Sequence, residues 1–462
     1  MYIRLAEHIA LRSWKELTYA YYTKTRPYAE PVTKKQAELL LQCDGEHDIA
    51  LDKTVMELAA RGMITACEKG DHPSEWSAYK AYDNRYFPRM NLMLTGKCNY
   101  NCLHCFNAAD NAPLMTEWSY EELCKLLDQS EECGIHAFTL TGGEPMAHKR
   151  FMDILHEIRR RNMLVEELNT NGYYITPDIL DEMKEMDCVP LIKISFDGIG
   201  YHDWMRNHKG AEKRTLEVMR LCREKGFRVV AQTNVNRRNV ESMAETAGVL
   251  DRIGVETMRI IRTTEAPRWA ANAGDACLTI DEYYETMLSL AKEWMSSGRK
   301  MRMVIWQYLQ LDPAGKSFSI VPVAYAKGEC KERYAVCRGA RGMVAVTSSG
   351  EVVPCMQALG YLQMIGVSYG NLHRDRLKDI LTSGSYFDTV SMPVGELRRI
   401  NKKCGSCKWF ACCAGGCRAL GLLYSGEKHD YCGVDPTKCI FFKNGWYEKV
   451  METLSPWKGG RG

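Results

Sequence analysis

Between Met90 and Thr263 the chain repeats one pattern six times: a short apolar or β-branched run, a turn, and then an amphipathic stretch with helical spacing. The runs are MNLMLT, AFTLTGG, LVEELNTNG, LIKISFDG, RVVAQTNVN and TMRIIRT, with helical stretches such as SYEELCKLLDQSEECG and TLEVMRLCREKG between them. Strands separated by helices pair in parallel, and successive right-handed crossovers curl such a sheet toward a barrel. The sequence therefore predicts an α/β fold, a partial (β/α)6 TIM-type barrel over residues 86–310, with functional groups at the C-terminal ends of its strands. After about residue 300 the alternation gives way to cysteines, glycines and hairpin patterns such as GMVAVTSSGEVVPC.

The turn after the first strand carries Cys98, Cys102 and Cys105, with no fourth cysteine nearby. A closed structural zinc site takes four ligands, so three thiolates leave a position open. Soft thiolates also suit iron-sulfur clusters, where three of them leave one iron free for a further ligand.

Composition narrows the setting. Sixty-one Lys plus Arg against 58 Asp plus Glu give a formal charge of +3, too small to argue for nucleic acid or an anionic membrane as a partner. The opening residues carry charges throughout, and nowhere do ~18 apolar residues run together, so a cytoplasmic protein is expected. Twenty cysteines in such a chain point to metal chemistry rather than a disulfide framework.

Residues 1–85 read as a separate unit of β-rich, aromatic runs and two amphipathic helices, with Thr33 and Asp52 as N-caps; the pattern is winged-helix-like. Glu68 to Asn84 reads as a linker.

CxxxCxxC after the first strand, TGGEP after the second, NTNG after the third and ISFDG after the fourth together resemble the radical S-adenosylmethionine superfamily. The resemblance implies a 4Fe-4S cluster on Cys98, Cys102 and Cys105 whose free iron holds S-adenosylmethionine, and a 5'-deoxyadenosyl radical that abstracts hydrogen from an unactivated C–H bond. It implies cofactor contacts from His104 near the adenine, from Gly142, Gly143 and Glu144 to the ammonium, and from Ser195 and Arg206 to the carboxylate. Arginine suits that last task because its fork binds carboxylate bidentately. Asn171 is either a further contact or only part of a turn.

A second pattern follows. Cys337, Gly350 and Cys355 precede Cys404, Cys407, Cys413 and Cys417, the last four spaced C-x2-C-x5-C-x3-C. This resembles the SPASM extension of radical enzymes that modify peptides and proteins, placed at residues 311–462 with a bridging region. By that resemblance Cys330, Cys337, Cys355 and Cys417 hold one auxiliary 4Fe-4S cluster, and Cys404, Cys407, Cys413 and a late cysteine hold another, for three clusters in all. Cys439 in DPTKC fits the late position better than Cys432, although both stay open. Two zinc sites are the plain alternative, since C-x2-C is also a zinc signature. Cys412 matches no ligand position; Cys43, Cys67, Cys124, Cys133, Cys188 and Cys222 fall mostly in helical, core-like patterns, and Cys277 is ambiguous.

A winged-helix-like unit before this pair resembles the precursor-recognition element of ribosomal peptide natural-product (RiPP) pathways, where a leader peptide adds as a strand. The expectation is a peptide maturase that forms an intramolecular thioether or C–C crosslink, with the precursor peptide and an external electron donor such as flavodoxin or ferredoxin as partners. The alternatives are a sulfatase-type formylglycine maturase, a peptide epimerase and a non-catalytic zinc and winged-helix adaptor.

Overall fold

The computed structural model describes residues 1–105, 115–264, 267–325, 332–359, 362, 365–425 and 430–461. Cys330 lies outside them.

The N-terminal unit contains β1 (Tyr2–Leu5), β2 (Ile9–Trp14), β3 (Leu17–Thr23), β4 (Glu30–Pro31), α1 (Lys34–Gln42), β5 (Asp44–Asp48), α2 (Lys53–Ala60), β6 (Ile64–Ala66) and β7 (Lys80–Ala81). Two small sheets form, ordered β5-β1-β6 and β4-β3-β2-β7. Thr33 caps α1 in a reciprocal box with Gln36, and Asp52 caps α2 by accepting the Val55 N–H. Ile3, Leu5, Leu11, Leu40, Val55 and Leu58 form its core.

Glu68 to Asn84, expected as a linker, is instead pinned to this unit. The Arg12 guanidinium, 3% exposed, donates to the carbonyls of Leu11, Ala78 and Trp76 at 2.8, 2.7 and 2.6 Å. A buried charge needs such acceptors, and the polar segment provides two of the three from its backbone. Its composition signalled solvent exposure; its role is to satisfy that cation.

The unit docks where α3 (Tyr120–Glu132) ends and the next strand begins. Carbonyls at a helix C-terminus lack intrahelical donors. Here the Trp14 indole and the Asn84 amide donate to Cys133 O at 3.3 and 2.9 Å, and the Tyr22 hydroxyl donates to Gly134 O at 3.0 Å. Gly134, at φ +72°, is required, since a Cβ there would come within 2.7 Å of Tyr82 and 2.8 Å of Trp14. His136 stacks on Tyr22 at 4.3 Å and donates through Nε2 to Thr23 O at 3.1 Å.

Burial pushes the His136 pKa down to about 4. The unfolded imidazole titrates near 6.5, so between these values the unfolded chain binds the extra proton and the stability gained from a neutral His136 is lost as pH falls. We expect thermal stability to decline from about pH 6.5 toward about pH 4, and His136→Phe to flatten that slope whatever its effect at neutral pH. Melting curves across this range check it; an unchanged slope in the variant refutes it.

The large sheet starts with β8 (Arg89–Met93), β9 (Ala137–Thr141), β10 (Leu164–Thr170), β11 (Leu191–Ser195), β12 (Val229–Val235) and β13 (Thr257–Arg262), the six expected strands, parallel and in chain order. It continues through β14 (Arg302–Ile305), parallel to β13, then antiparallel β15 (Leu309–Asp312) and β16 (Ser317–Ile320), with β19 (Lys458–Arg461) beyond. On its other edge β17 (Met343–Val346) runs parallel to β8 and forms the expected hairpin with β18 (Val352–Val353). The cysteine-rich segment thus supplies strands to both edges of the barrel sheet. Helices such as α4 (Phe151–Arg160) cover its outer face, where Phe138, Leu140, Ile192, Ile194 and Ile260 are fully buried. The N-terminal unit meets the sheet where β8 and β9 begin, with Tyr28 beneath Arg89 and Thr23 accepting from His136. Among the described residues no helix is long and apolar enough to cross a membrane.

Candidate functional site

At the C-terminal ends of these strands a cavity of about 350 Å3 brings together Cys98, Cys102, His104, Cys105, Gly142, Gly143, Asn171, Ser195 and Arg206. Four different strands contribute, as barrel geometry dictates. The glycines allow the close approach. A Cβ on Gly142 would lie 2.5 Å from Thr95 O, and one on Gly143 would lie 2.4 Å from Lys97 O and 2.5 Å from Gly96 O. The Gly143 and Glu144 N–H groups instead donate to Thr95 O and Lys97 O at 2.7 and 2.8 Å, tying this turn to the cysteine loop.

Burial pushes the Cys98 thiol up to about 12, with Glu144, Cys102 and Cys105 adding in the same direction. Such thiols ionise when a bound cation compensates the charge. Among the described residues no three His, Cys, Asp or Glu side chains converge tightly enough to hold a single metal ion. The three thiols line one cavity.

Glu144 is fully buried, accepting from the Thr170 hydroxyl and the Asn171 N–H at 2.7 Å each and from the Met146 N–H at 3.2 Å. Burial raises its pKa to about 7 against the pull of those donors. Through these bonds it fixes the turn that carries Asn171. Asn171 lies in a turn that lines the cavity: it accepts from the Tyr173 N–H at 2.9 Å, donates to Asn99 Oδ1 at 2.8 Å and precedes Gly172 at φ +83°.

His104 accepts from the Asn234 amide through Nε2 at 3.1 Å, and its Nδ1 is buried. Burial drives its pKa down to about 4, leaving a neutral planar ring. Arg206 is not a solvated side chain. It is 7% exposed, with Nε 2.6 Å from Asp197 Oδ2, Nη2 3.1 Å from Oδ1 and Nη1 3.8 Å from Cys102 Sγ. Asp197, fully buried, also accepts the Asn234 N–H at 2.9 Å. The sequence reading had Asp197 inside ISFDG and gave it no role; an acid two residues beyond a strand's C-terminal end was the available signal.

The later cysteines form two groups. Burial raises Cys355 to about 11 and Cys417 to about 12, and each neighbours the other and Cys337. Cys404, Cys407, Cys413 and Cys439 share a second cavity of about 650 Å3. Cys432 is absent from that lining and lies against Met392, with Sγ 3.7 Å from its sulfur.

Comparison with known proteins accords with this geometry. Residues 92–250 match the radical SAM superfamily model, and residues 337–412 match an iron-sulfur cluster-binding domain, SPASM. The chain is a radical S-adenosylmethionine enzyme with a SPASM extension. The enzyme is 26% identical over 353 residues to the AdoMet-dependent heme synthase of Methanosarcina barkeri, covering 75% of this chain and 96% of that one. It is 23% identical to the PqqA peptide cyclase of Granulibacter bethesdensis, covering 75% and 87%. Its fold superposes with a TM-score of 0.63 on the crystal structure of Streptococcus suis SuiB bound to precursor peptide SuiA, at 11% identity and covering 95% of this chain and 99% of that one. The enzyme's cofactors are S-adenosylmethionine and iron-sulfur clusters, and the donor set fits them: soft thiols for iron, and at the first cavity an arginine, a neutral imidazole and a glycine turn for a charged nucleoside.

Proposed function

We propose that this enzyme matures a ribosomally made precursor peptide by removing hydrogen from one of its residues and closing an intramolecular thioether or C–C crosslink. The observation that carries the reading is coverage. The likeness to SuiB bound to precursor peptide SuiA extends over 95% of this chain, whereas the likeness to anSMEcpe with bound AdoMet extends over 80% of it. So large a share must take in most of residues 1–85, assigned here to leader recognition. PqqA peptide cyclase and the mycofactocin maturase MftC of Mycobacterium tuberculosis, 24% identical, carry names of the same kind.

When bound, the cluster and S-adenosylmethionine supply the hydrogen-abstracting radical. In the chain itself, Cys98, Cys102 and Cys105 would hold the cluster, Arg206, kept in place by Asp197, would face the cofactor carboxylate, and His104 would lie against the adenine. The Gly142–Gly143 turn would present backbone carbonyls to the ammonium. Cys337, Cys355 and Cys417 would hold one auxiliary cluster, with Cys330 as fourth ligand, and Cys404, Cys407, Cys413 and Cys439 the other. Support for Cys439 over Cys432 is the cavity it shares with the rest of that set. Residues 1–85 would bind the leader at a sheet edge.

Incubating enzyme, reductant and S-adenosylmethionine with the peptide encoded beside the gene is expected to lower the peptide's mass by about two units per crosslink, the loss of two hydrogens. Deuterium uptake from solvent without that loss would mean epimerisation. Turnover of a tetrapyrrole with the peptide untouched would favour the reading suggested by the heme synthase relatives.

A further inference from the structure

One charge inside the barrel has no counter-charge in the protein around it. Parallel pairing sets Ser195, Gln232 and Arg259 side by side on β11, β12 and β13. Ser195 and Gln232 line the barrel-mouth cavity, so Arg259 lies on the same inward face of the sheet. Its guanidinium sits over the ring of Trp306, another residue of the cavity wall, at 4.1 Å. Among the described residues Arg259 has no hydrogen bond or ion pair, and its Nε is buried. Burial works against the charge and lowers its pKa from the ordinary value.

The carboxylates nearby are already engaged. Glu167, which acts most strongly on Arg259, is held by Lys193 at 2.5 Å, and Glu166 beside it by Arg89 at 3.3 Å. A cation–π contact recovers only part of the cost of burying an ion. The other negative group whose charge reaches Arg259 is Cys355, and the influence is mutual. Gln357, two residues beyond Cys355, lines the same cavity as Trp306, which brings the Cys355 turn to this part of the barrel.

A single arginine inside a barrel is commonly a structural residue balanced by a distant acid. Here the acids are taken, and the free neighbour is a cysteine of the first auxiliary group. A cluster held by thiolates is anionic, and reduction makes it more so; a fixed cation in a low-dielectric site therefore favours the reduced form.

We propose that Arg259 is the buried counter-ion of the iron-sulfur cluster on Cys337, Cys355 and Cys417, and that its fixed charge raises the reduction potential of that cluster. This rests on the iron-sulfur reading of those cysteines; the identity of the peptide does not enter.

The test is a redox titration, followed by electron paramagnetic resonance, of reconstituted full-length protein carrying Cys98→Ala, Cys102→Ala and Cys105→Ala, so that only auxiliary signals remain. Adding Arg259→Gln should shift the reduction equilibrium of one signal roughly tenfold toward the oxidised form, a midpoint about 59 mV more negative, and leave the other in place. The signal that moves should be the one that Cys355→Ala removes. Arg259→Lys, which keeps the charge, should return the midpoint most of the way. A second measurement needs no iron. In the apo-protein Arg259 lacks its counter-charge, so Arg259→Met should leave stability to chemical denaturation equal or higher. An unmoved midpoint, equal shifts from Gln and Lys, or a destabilised apo-protein would overturn the proposal; the last would make Arg259 a structural partner of Glu167. Unmoved midpoints with a raised KM for peptide would overturn it in favour of a substrate contact. Full retention of iron by Cys355→Ala would remove the cluster and the proposal with it. A peptide that gains no crosslink while the midpoint shifts as expected would remove the maturase reading and leave the counter-ion standing.

Discussion

Replacing Cys98, Cys102 and Cys105 with alanine is expected to lower the iron of reconstituted protein from about twelve to about eight atoms per chain and to reduce cleavage of S-adenosylmethionine to background. The loss should be selective. The three thiols line the barrel-mouth cavity, whereas Cys404, Cys407, Cys413 and Cys439 line another formed by later segments. The loop is tied to the Gly142–Gly143 turn by backbone bonds, and the sulfur contacts it would lose are long, Tyr100 N–H to Cys98 at 3.4 Å and Arg206 to Cys102 at 3.8 Å, so folding should survive. Iron analysis, circular dichroism and chromatographic assay of 5'-deoxyadenosine read the three consequences separately. Retention of all twelve irons, or of cofactor cleavage, would remove these cysteines from the radical site; initial iron near four would remove the auxiliary clusters.

How much of this was legible in the sequence depends on the range of the interaction. The six strands β8 to β13 and the caps at Thr33 and Asp52 are written in local periodicity and in side chains that bond within three residues, and all appear as expected. β17 is different: it pairs with β8 across about 250 residues, Met343 against Arg89, and nothing local in MVAV announces a parallel partner. The pinning of Glu68 to Asn84 was hidden for a related reason, since the segment's composition is that of a tether and only the burial of Arg12 reveals its task. At the site, the motifs placed the cysteines, the glycines and Arg206 in one cavity. They did not tell which way a side chain turns. Glu144 stands in the motif but spends its carboxylate on Thr170, Asn171 and Met146, while Asp197, read only as part of a pattern, turns out to hold the arginine.

That pairing gives the second large expected effect. Burial works against the Asp197 charge, but Arg206 outweighs it and holds the carboxyl well below the ordinary carboxylate range. Asp197→Leu would leave a guanidinium 7% exposed without its counter-charge. Breaking a buried pair in this way costs about 3–5 kcal/mol, whereas replacing both partners by apolar groups is often close to neutral. Asp197→Leu should therefore destabilise the apo-protein by about that amount in chemical denaturation, and adding Arg206→Met should restore most of it. Cofactor affinity should respond otherwise: weakened in both variants, because Arg206 is mispositioned in one and missing in the other. The pH dependence supplies an independent check. A depressed folded pKa means that the stabilisation is complete above the unfolded value of about 3.9 and is lost as pH falls through the folded one, so the unmodified protein should lose this contribution below about pH 4 and the double variant should not. If the double variant instead binds S-adenosylmethionine as tightly as the unmodified enzyme, Arg206 is a structural counter-ion for Asp197 and the cofactor carboxylate is held by other groups, Ser195 first among those lining the cavity.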